Sequence, residues 1–283
     1  MGIYTALSYG ITWLSWILMC FAAGGFDKWA DSALFSFLSV LLMFPPALSN
    51  ILTRIITKEG MTDSFLCLKL KGKIKYYTAS LFLPVLVAFL IGVICSFVFT
   101  DGFSLEAINR EADGFKGYAG NILFMIGISA ATAYITFGEE FGWRGYLYPK
   151  LEKLIGTPKA VLLGGVVWGI WHAPIIVMGH NFGTDYPGYP FVGILIMCIY
   201  CTSAGAMLMW LTKKTGSVYP ASLTHAVINN CTGLTAALTA PGLTETVENN
   251  IFSFQLVHML TASLIYSVFA LLLIKETRKK TVS

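Results

Sequence analysis

Charge is scarce in this sequence. Asp, Glu, Lys and Arg make up 12% of its 283 residues, about half of the roughly 25% that soluble domains carry. With 56% hydrophobic residues and a mean hydropathy of +0.70, that shortage excludes an ordinary soluble domain and points to an integral membrane protein. The formal net charge of +4 implies no nucleic-acid partner, because in a membrane protein the placement of Lys and Arg matters more than their sum. A Gly-x-Ser-x-Gly nucleophile elbow is missing, which argues against a serine protease. The His-Glu-x-x-His zinc helix is missing too. No positively charged stretch precedes the first apolar run, so that run reads as an uncleaved span rather than a secretory signal. The six cysteines (Cys20, Cys67, Cys95, Cys198, Cys201 and Cys231) are scattered, mostly within apolar runs. They read as small core residues rather than a disulfide framework. Cys198 and Cys201 form one C-x-x-C without the second pair or polar setting that a redox or metal site needs.

What is present is a series of apolar runs, each near the roughly 20 residues a bilayer requires. They cover about Ile3 to Ala23, Ser32 to Ile56, Tyr76 to Thr100, Gly120 to Tyr148, Ala160 to Met178, Phe191 to Leu211, Val218 to Ala237 and Phe254 to Ile274. Pro45-Pro46 should kink the second run, and Pro84 falls in the early turns of the third. The fold class expected is all-α, a polytopic membrane protein of about eight transmembrane helices. No repeat, low-complexity tract or soluble domain interrupts it.

The basic residues support this count independently. With both termini inside, Arg54 to Lys75, Lys150 to Lys159, Lys213-Lys214 and the tail from Lys275 to Lys280 lie on the cytoplasmic side. Only Lys28, Arg110 and Lys116 fall outside, as the positive-inside rule requires. The loop from Arg54 to Lys75 reads as a topology determinant resting on anionic membrane lipid. The localisation expected is the cell membrane, multi-pass, with both termini cytoplasmic.

Against this background the stretch Gly138-Glu139-Glu140-Phe141-Gly142-Trp143-Arg144-Gly145 stands out. Glu139, Glu140 and Arg144 are the charged residues of the fourth run, and ionisable groups at that depth mark function by default. On a helix Glu140 and Arg144 share a face in the favoured order for an i,i+4 ion pair. Glu139 points roughly 100° away, without such a partner. One carboxylate looks structurally compensated and the other available for chemistry. Measured by helix rise from the basic side, Glu139 lies roughly 14 Å deep, His172 roughly 18 Å and His225 roughly 12 Å. Asn229 is one turn beyond His225 on the same face. A carboxylate, two imidazoles and a carboxamide are therefore expected to meet between the fourth, fifth and seventh helices, in a cavity reached from the cytoplasmic side. Such a set suits hydrolysis: the glutamate as general base towards water, the imidazole and carboxamide hydrogens stabilising an oxyanion.

Glu139-Glu140-x-x-x-Arg144, then Trp168-x-x-x-His172, then His225-x-x-x-Asn229 resembles the three-part signature of the CAAX-protease and bacteriocin-processing family, also called the Abi family. The eight-span form is similar to its Ras-converting branch. The resemblance covers roughly Gly138 to Asn230 and implies a single transmembrane protease domain over residues 1–283, acting on a membrane-associated or lipidated peptide. Carried over by position, it implies that Glu139 activates water, that His172 helps orient it, and that His225 and Asn229 hold the oxyanion. Glu140, Arg144 and Trp168 would shape the site. The family motif usually has Phe where this chain has Trp168, so an aromatic is kept.

Both metal-dependent and glutamate-dependent mechanisms have been described for that family. Here His225 is paired at i+4 with Asn229, a poor zinc ligand, so direct base catalysis without a metal is expected. Were zinc to bind, Glu139, His172 and His225 would be its ligands. His180 and His258, the remaining histidines, are expected at the outer interface. Trp143 and Trp171 flank the candidates as packing or channel residues. Rival readings are a non-catalytic membrane scaffold or bacteriocin-immunity protein, which would not need Glu139, and a proton-coupled transporter, which would favour repeated halves that are not visible here.

Overall fold

The computed structural model describes residues 1–25, 38–104, 106, 109, 114–237, 240, 243 and 250–282. Lys28, Arg110, Glu111, Asp113 and the start of the second apolar run at Ser32 lie outside the described residues. The helices are α1 (Gly2–Ala22), α2 (Pro45–Thr57), α3 (Ile74–Phe99), α4 (Gly114–Gly142), a π-helical turn (Trp143–Leu147), α5 (Tyr148–Ile155), α6 (Thr157–Trp171), α7 (Ala173–Val177), α8 (Phe191–Thr215), α9 (Tyr219–Ala237) and α10 (Ile251–Val282). No strand occurs among the described residues. The protein is an all-α polytopic membrane protein. Among the described residues, six helices are long and apolar enough to cross a membrane, the longest being the continuous Gly114–Ile155.

The other two expected runs also fold as helices, with differences that have local causes. The fifth run breaks at His172. Pro174 has no N–H to continue the ladder, so α6 stops after 15 residues and α7 restarts at Ala173. The seventh run, α9, is the more polar one, holding Ser222, Thr224, His225, Asn229 and Asn230. It is a site-bearing helix packed on α3 and α4.

Close helix contacts depend on missing side chains. A Cβ on Gly169 of α6 would lie 2.5 Å from the Cys198 Cα of α8, nearer than real contacts allow. In lipid, where helix association rests on packing and hydrogen bonding, small residues at such crossings let backbones approach. Cys198 and Cys201 form no disulfide; Cys201 is buried in the core.

Arg54 is not the lipid-facing start of a basic loop. It is 3% exposed and donates to the Asn50 side chain at 2.7 Å, the Gly60 carbonyl at 2.7 Å, Asp63 at 2.6 Å and the Gly145 carbonyl at 3.1 Å. Asn50 in turn donates to the Phe141 carbonyl at 2.8 Å. These two residues of α2 thus supply donors to carbonyls just before and within the π turn, where the hydrogen-bond register of the long helix changes. The loop after α2 is tied to α5: Lys150 pairs with Glu59, and Asp63 lies 3.3 Å from Lys150 and 3.2 Å from Lys153. Lys213 pairs with Glu152 at 2.5 Å and Lys214 with Glu276 at 2.6 Å. The basic segments therefore gather at one end of the bundle. Tyr4, 4.9 Å from Tyr146 between ring centroids, places the start of α1 at that end too.

Burial pushes the Asp63 carboxyl up, but hydrogen bonds from Arg54, Lys153 and Lys150 more than reverse this and hold it well below the usual carboxylate range. A carboxyl lowered in the folded state stabilises fully above its unfolded value of about 3.9 and loses that contribution as pH falls through the folded value. Thermal unfolding in detergent should therefore show wild-type stability falling below about pH 4. Asp63→Asn should be less stable at neutral pH and lose less on acidification; equal acid sensitivity in both proteins would contradict the assignment.

Candidate active site

Glu139 and Glu140 lie in the last turn of α4, where the helix widens into the π turn. Trp168 lies near the end of α6, with His172 in the break between α6 and α7, and His225 and Asn229 lie on α9. Glu139, Trp168, His172, His225 and Asn229 all line one cavity of about 540 Å³. The structure thus brings the four expected catalytic residues to a single wall. Glu140 and Arg144 lie behind that wall, 0% and 1% exposed.

The two neighbouring carboxylates are held in different ways. Glu140 Oε1 accepts from Arg144 Nη1 at 3.0 Å and faces His225 Nδ1 at 2.9 Å. The expected i,i+4 pair forms, and the same oxygen also fixes an imidazole from another helix. Facing a carboxylate, His225 Nδ1 is the donor, which leaves Nε2 to act elsewhere. Glu139 Oε2 accepts from two indoles, Trp168 Nε1 at 2.8 Å and Trp143 Nε1 at 3.2 Å. Its Oε1 has no hydrogen-bond partner among the described residues and belongs to a side chain on the cavity wall. Trp143 stands four residues after Glu139, so the lack of a charged helical partner noted in the sequence is met by an indole N–H. His172 Nδ1 lies 2.9 Å from the Trp168 carbonyl, an atom that can only accept. Nδ1 therefore carries a proton, and in the neutral form of the ring Nε2 has a lone pair.

The cavity extends beyond these residues. Its lining continues to Ser39, Asn181 and Gln255, at the end of the bundle away from the lysine-rich face. His180, exposed, and His258, buried, lie near the outer helix ends as expected, and both line the same cavity. Sequence spacing places these two near the outer helix ends but cannot say which way they face.

Among the described residues no group of three or more His, Cys, Asp or Glu side chains is gathered as a metal site; the Nδ1 atoms of both imidazoles are engaged by protein acceptors, which leaves each Nε2 free on the cavity side of the ring.

Comparison with known proteins bears on the same segment. The family described as Type II CAAX prenyl endopeptidase Rce1-like matches residues 120–231, which contain every motif residue named above. A protein of Methanococcus maripaludis named CAAX prenyl protease 2 is 27% identical over 139 residues. By these matches the chain is similar to the CAAX protease family. The aligned part is 49% of this chain and 45% of that relative, so the chain spans about half the length of the curated protein it matches. The CAAX protease match runs from α4 to α9 and so takes in every element that carries a motif residue of the cavity lining.

The shared Glu140 oxygen makes a quantitative prediction. Arg144→Leu leaves the Glu140 carboxylate buried without its permanent cation, which should cost about 3–5 kcal/mol. Adding Glu140→Leu should recover part of that loss. Thermal unfolding of the two single variants and the double variant checks this; simple additivity would show that the pair is not coupled.

Proposed function

We propose that the protein is an intramembrane endopeptidase that hydrolyses a peptide bond of a membrane-associated or lipidated substrate. The observation that carries this reading is the convergence of Glu139, His172, His225 and Asn229 on one buried cavity. Much of the remaining lining is apolar, including Val40, Leu42, Met197 and Met259, which suits a hydrocarbon chain or apolar residues. The similarity to CAAX prenyl proteases supports a prenylated C-terminal peptide as the first substrate to try. The lysine-rich end, with both termini, is assigned to the cytoplasmic side of the cell membrane by the positive-inside rule.

In this mechanism Glu139 Oε1 takes a proton from a water molecule while His172 Nε2 accepts the water's other hydrogen and holds its lone pair towards the substrate. The oxygen attacks the peptide carbonyl carbon. His225, in its imidazolium form with Glu140 as counter-ion, donates Nε2–H to the developing oxyanion, and the Asn229 carboxamide donates a second hydrogen. Glu139 then returns its proton to the leaving amine as the C–N bond breaks. Fixed donors where charge develops are worth about 10²–10³-fold each in rate, and a positioned base about 10²–10⁴-fold.

Detergent-purified wild type and Glu139→Gln are compared on a panel of membrane peptides including prenylated C-terminal sequences, with and without chelator, read by mass spectrometry. New termini are expected from wild type, with and without chelator, and loss of at least about 10²-fold is expected from the variant. Equal cleavage by Glu139→Gln would overturn the assignment of the base. Chelator-sensitive cleavage would overturn the metal-free mechanism.

A further inference from the structure

The signature residues are joined to one another by a side chain that the motif marks only as an aromatic. Trp168 is 4% exposed. Its indole N–H donates to Glu139 Oε2 at 2.8 Å, and its main-chain carbonyl holds His172 Nδ1 at 2.9 Å. The indole ring meets the His225 imidazole edge-on, with centroids 5.5 Å apart at 74°. On it lies the Arg144 guanidinium, 4.3 Å from the ring centroid. A cation over an indole face is attracted by the ring's electron density and draws that density away from the N–H, which strengthens the donor. Arg144 is itself paired with Glu140, the counter-ion of His225.

We infer that Trp168 is a positioning residue for catalysis: its N–H fixes Oε2 of Glu139, so that the carboxylate presents Oε1 to the cavity in register with His172 and His225. The inference rests on the proposed peptidase reading and adds the residue that sets the geometry of its base. Because one oxygen accepts from both Trp168 and Trp143, turning the carboxylate out of this plane would break two buried hydrogen bonds. The ionisable groups that interact with Glu139 are Tyr4 of α1, His172, Cys201 of α8 and His225. Among the described residues, Trp168 supplies it with a neutral, directional donor from a separate helix.

Trp168→Phe removes the N–H while keeping an aromatic ring against Arg144 and His225. A hydrogen bond to a charged group is worth enough that its loss should lower kcat roughly ten- to a hundredfold, with KM within about twofold because the N–H points at Glu139 rather than at substrate. The assay uses a fluorogenic prenylated C-terminal peptide and protein of matched folded fraction. A substrate-independent measurement accompanies it: the indole ¹⁵N–¹H resonances of Trp-labelled protein in nanodiscs, with the Trp168 signal assigned by its absence in Trp168→Phe. That signal should shift when Glu139→Gln is introduced, whereas the Trp13 indole, which donates to the Trp171 carbonyl at 3.1 Å, should not. A Trp168 resonance indifferent to Glu139→Gln, or full kcat in folded Trp168→Phe, would overturn the inference. Full activity in Glu139→Gln would instead overturn the peptidase mechanism itself, so the two failures are told apart.

Discussion

One buried carboxylate oxygen, Glu140 Oε1, is shared by Arg144 and His225, and much of the site's geometry depends on it. Three ionisable groups in a water-poor layer are costly unless each has partners. The shared oxygen gives Arg144 an anion, gives His225 an orientation and ties α4 to α9. Arg144, held there, lies against the rings of both Trp168 and Tyr148, which brings α6 into the same network. The scarcity of charge in the sequence and its concentration here are two sides of one constraint.

The backbone is shaped to serve this network. After Gly142 the long helix widens into a π turn that carries Arg144, and donors from Asn50 and Arg54 meet carbonyls at that change of register. At the end of α6, Pro174 forces a break that leaves His172 at a helix end, its ring nitrogen bonded back to the Trp168 carbonyl. A widened turn and a broken helix are irregularities tolerated at membrane depth when they are buried in protein or line a cavity. Both occur beside the cavity here.

Much of this was legible in the sequence. Low charge, apolar runs and clustered lysines led to the polytopic helical fold, and i,i+4 spacing led to the Glu140–Arg144 pair. Helix rise brought Glu139, His172 and His225 to one depth. What spacing could not show was contact between helices. The bond from His225 to Glu140, the Trp168 donor to Glu139 and the inward-facing His258 depend on rotation about each helix axis, which a depth calculation leaves open. Trp143 was within reach, since it stands at i+4 from Glu139, but an indole is usually counted as packing and not as a donor. Composition places Arg54 in a basic loop, whereas its partners Asp63 and the Gly145 carbonyl appear only once the chain is folded.

The central claim is that adjacent glutamates divide two tasks, with Glu140 holding the helices and Glu139 held ready for chemistry. The most direct measurement is thermal unfolding of Glu139→Gln and Glu140→Gln in the same detergent. The account predicts that Glu139→Gln unfolds close to wild type, because a carboxamide oxygen can still accept from Trp143 and Trp168. Glu140→Gln should unfold well below it, because Arg144 and His225 lose their shared anion. Equal stability of the two variants, or the reverse order, would contradict the division.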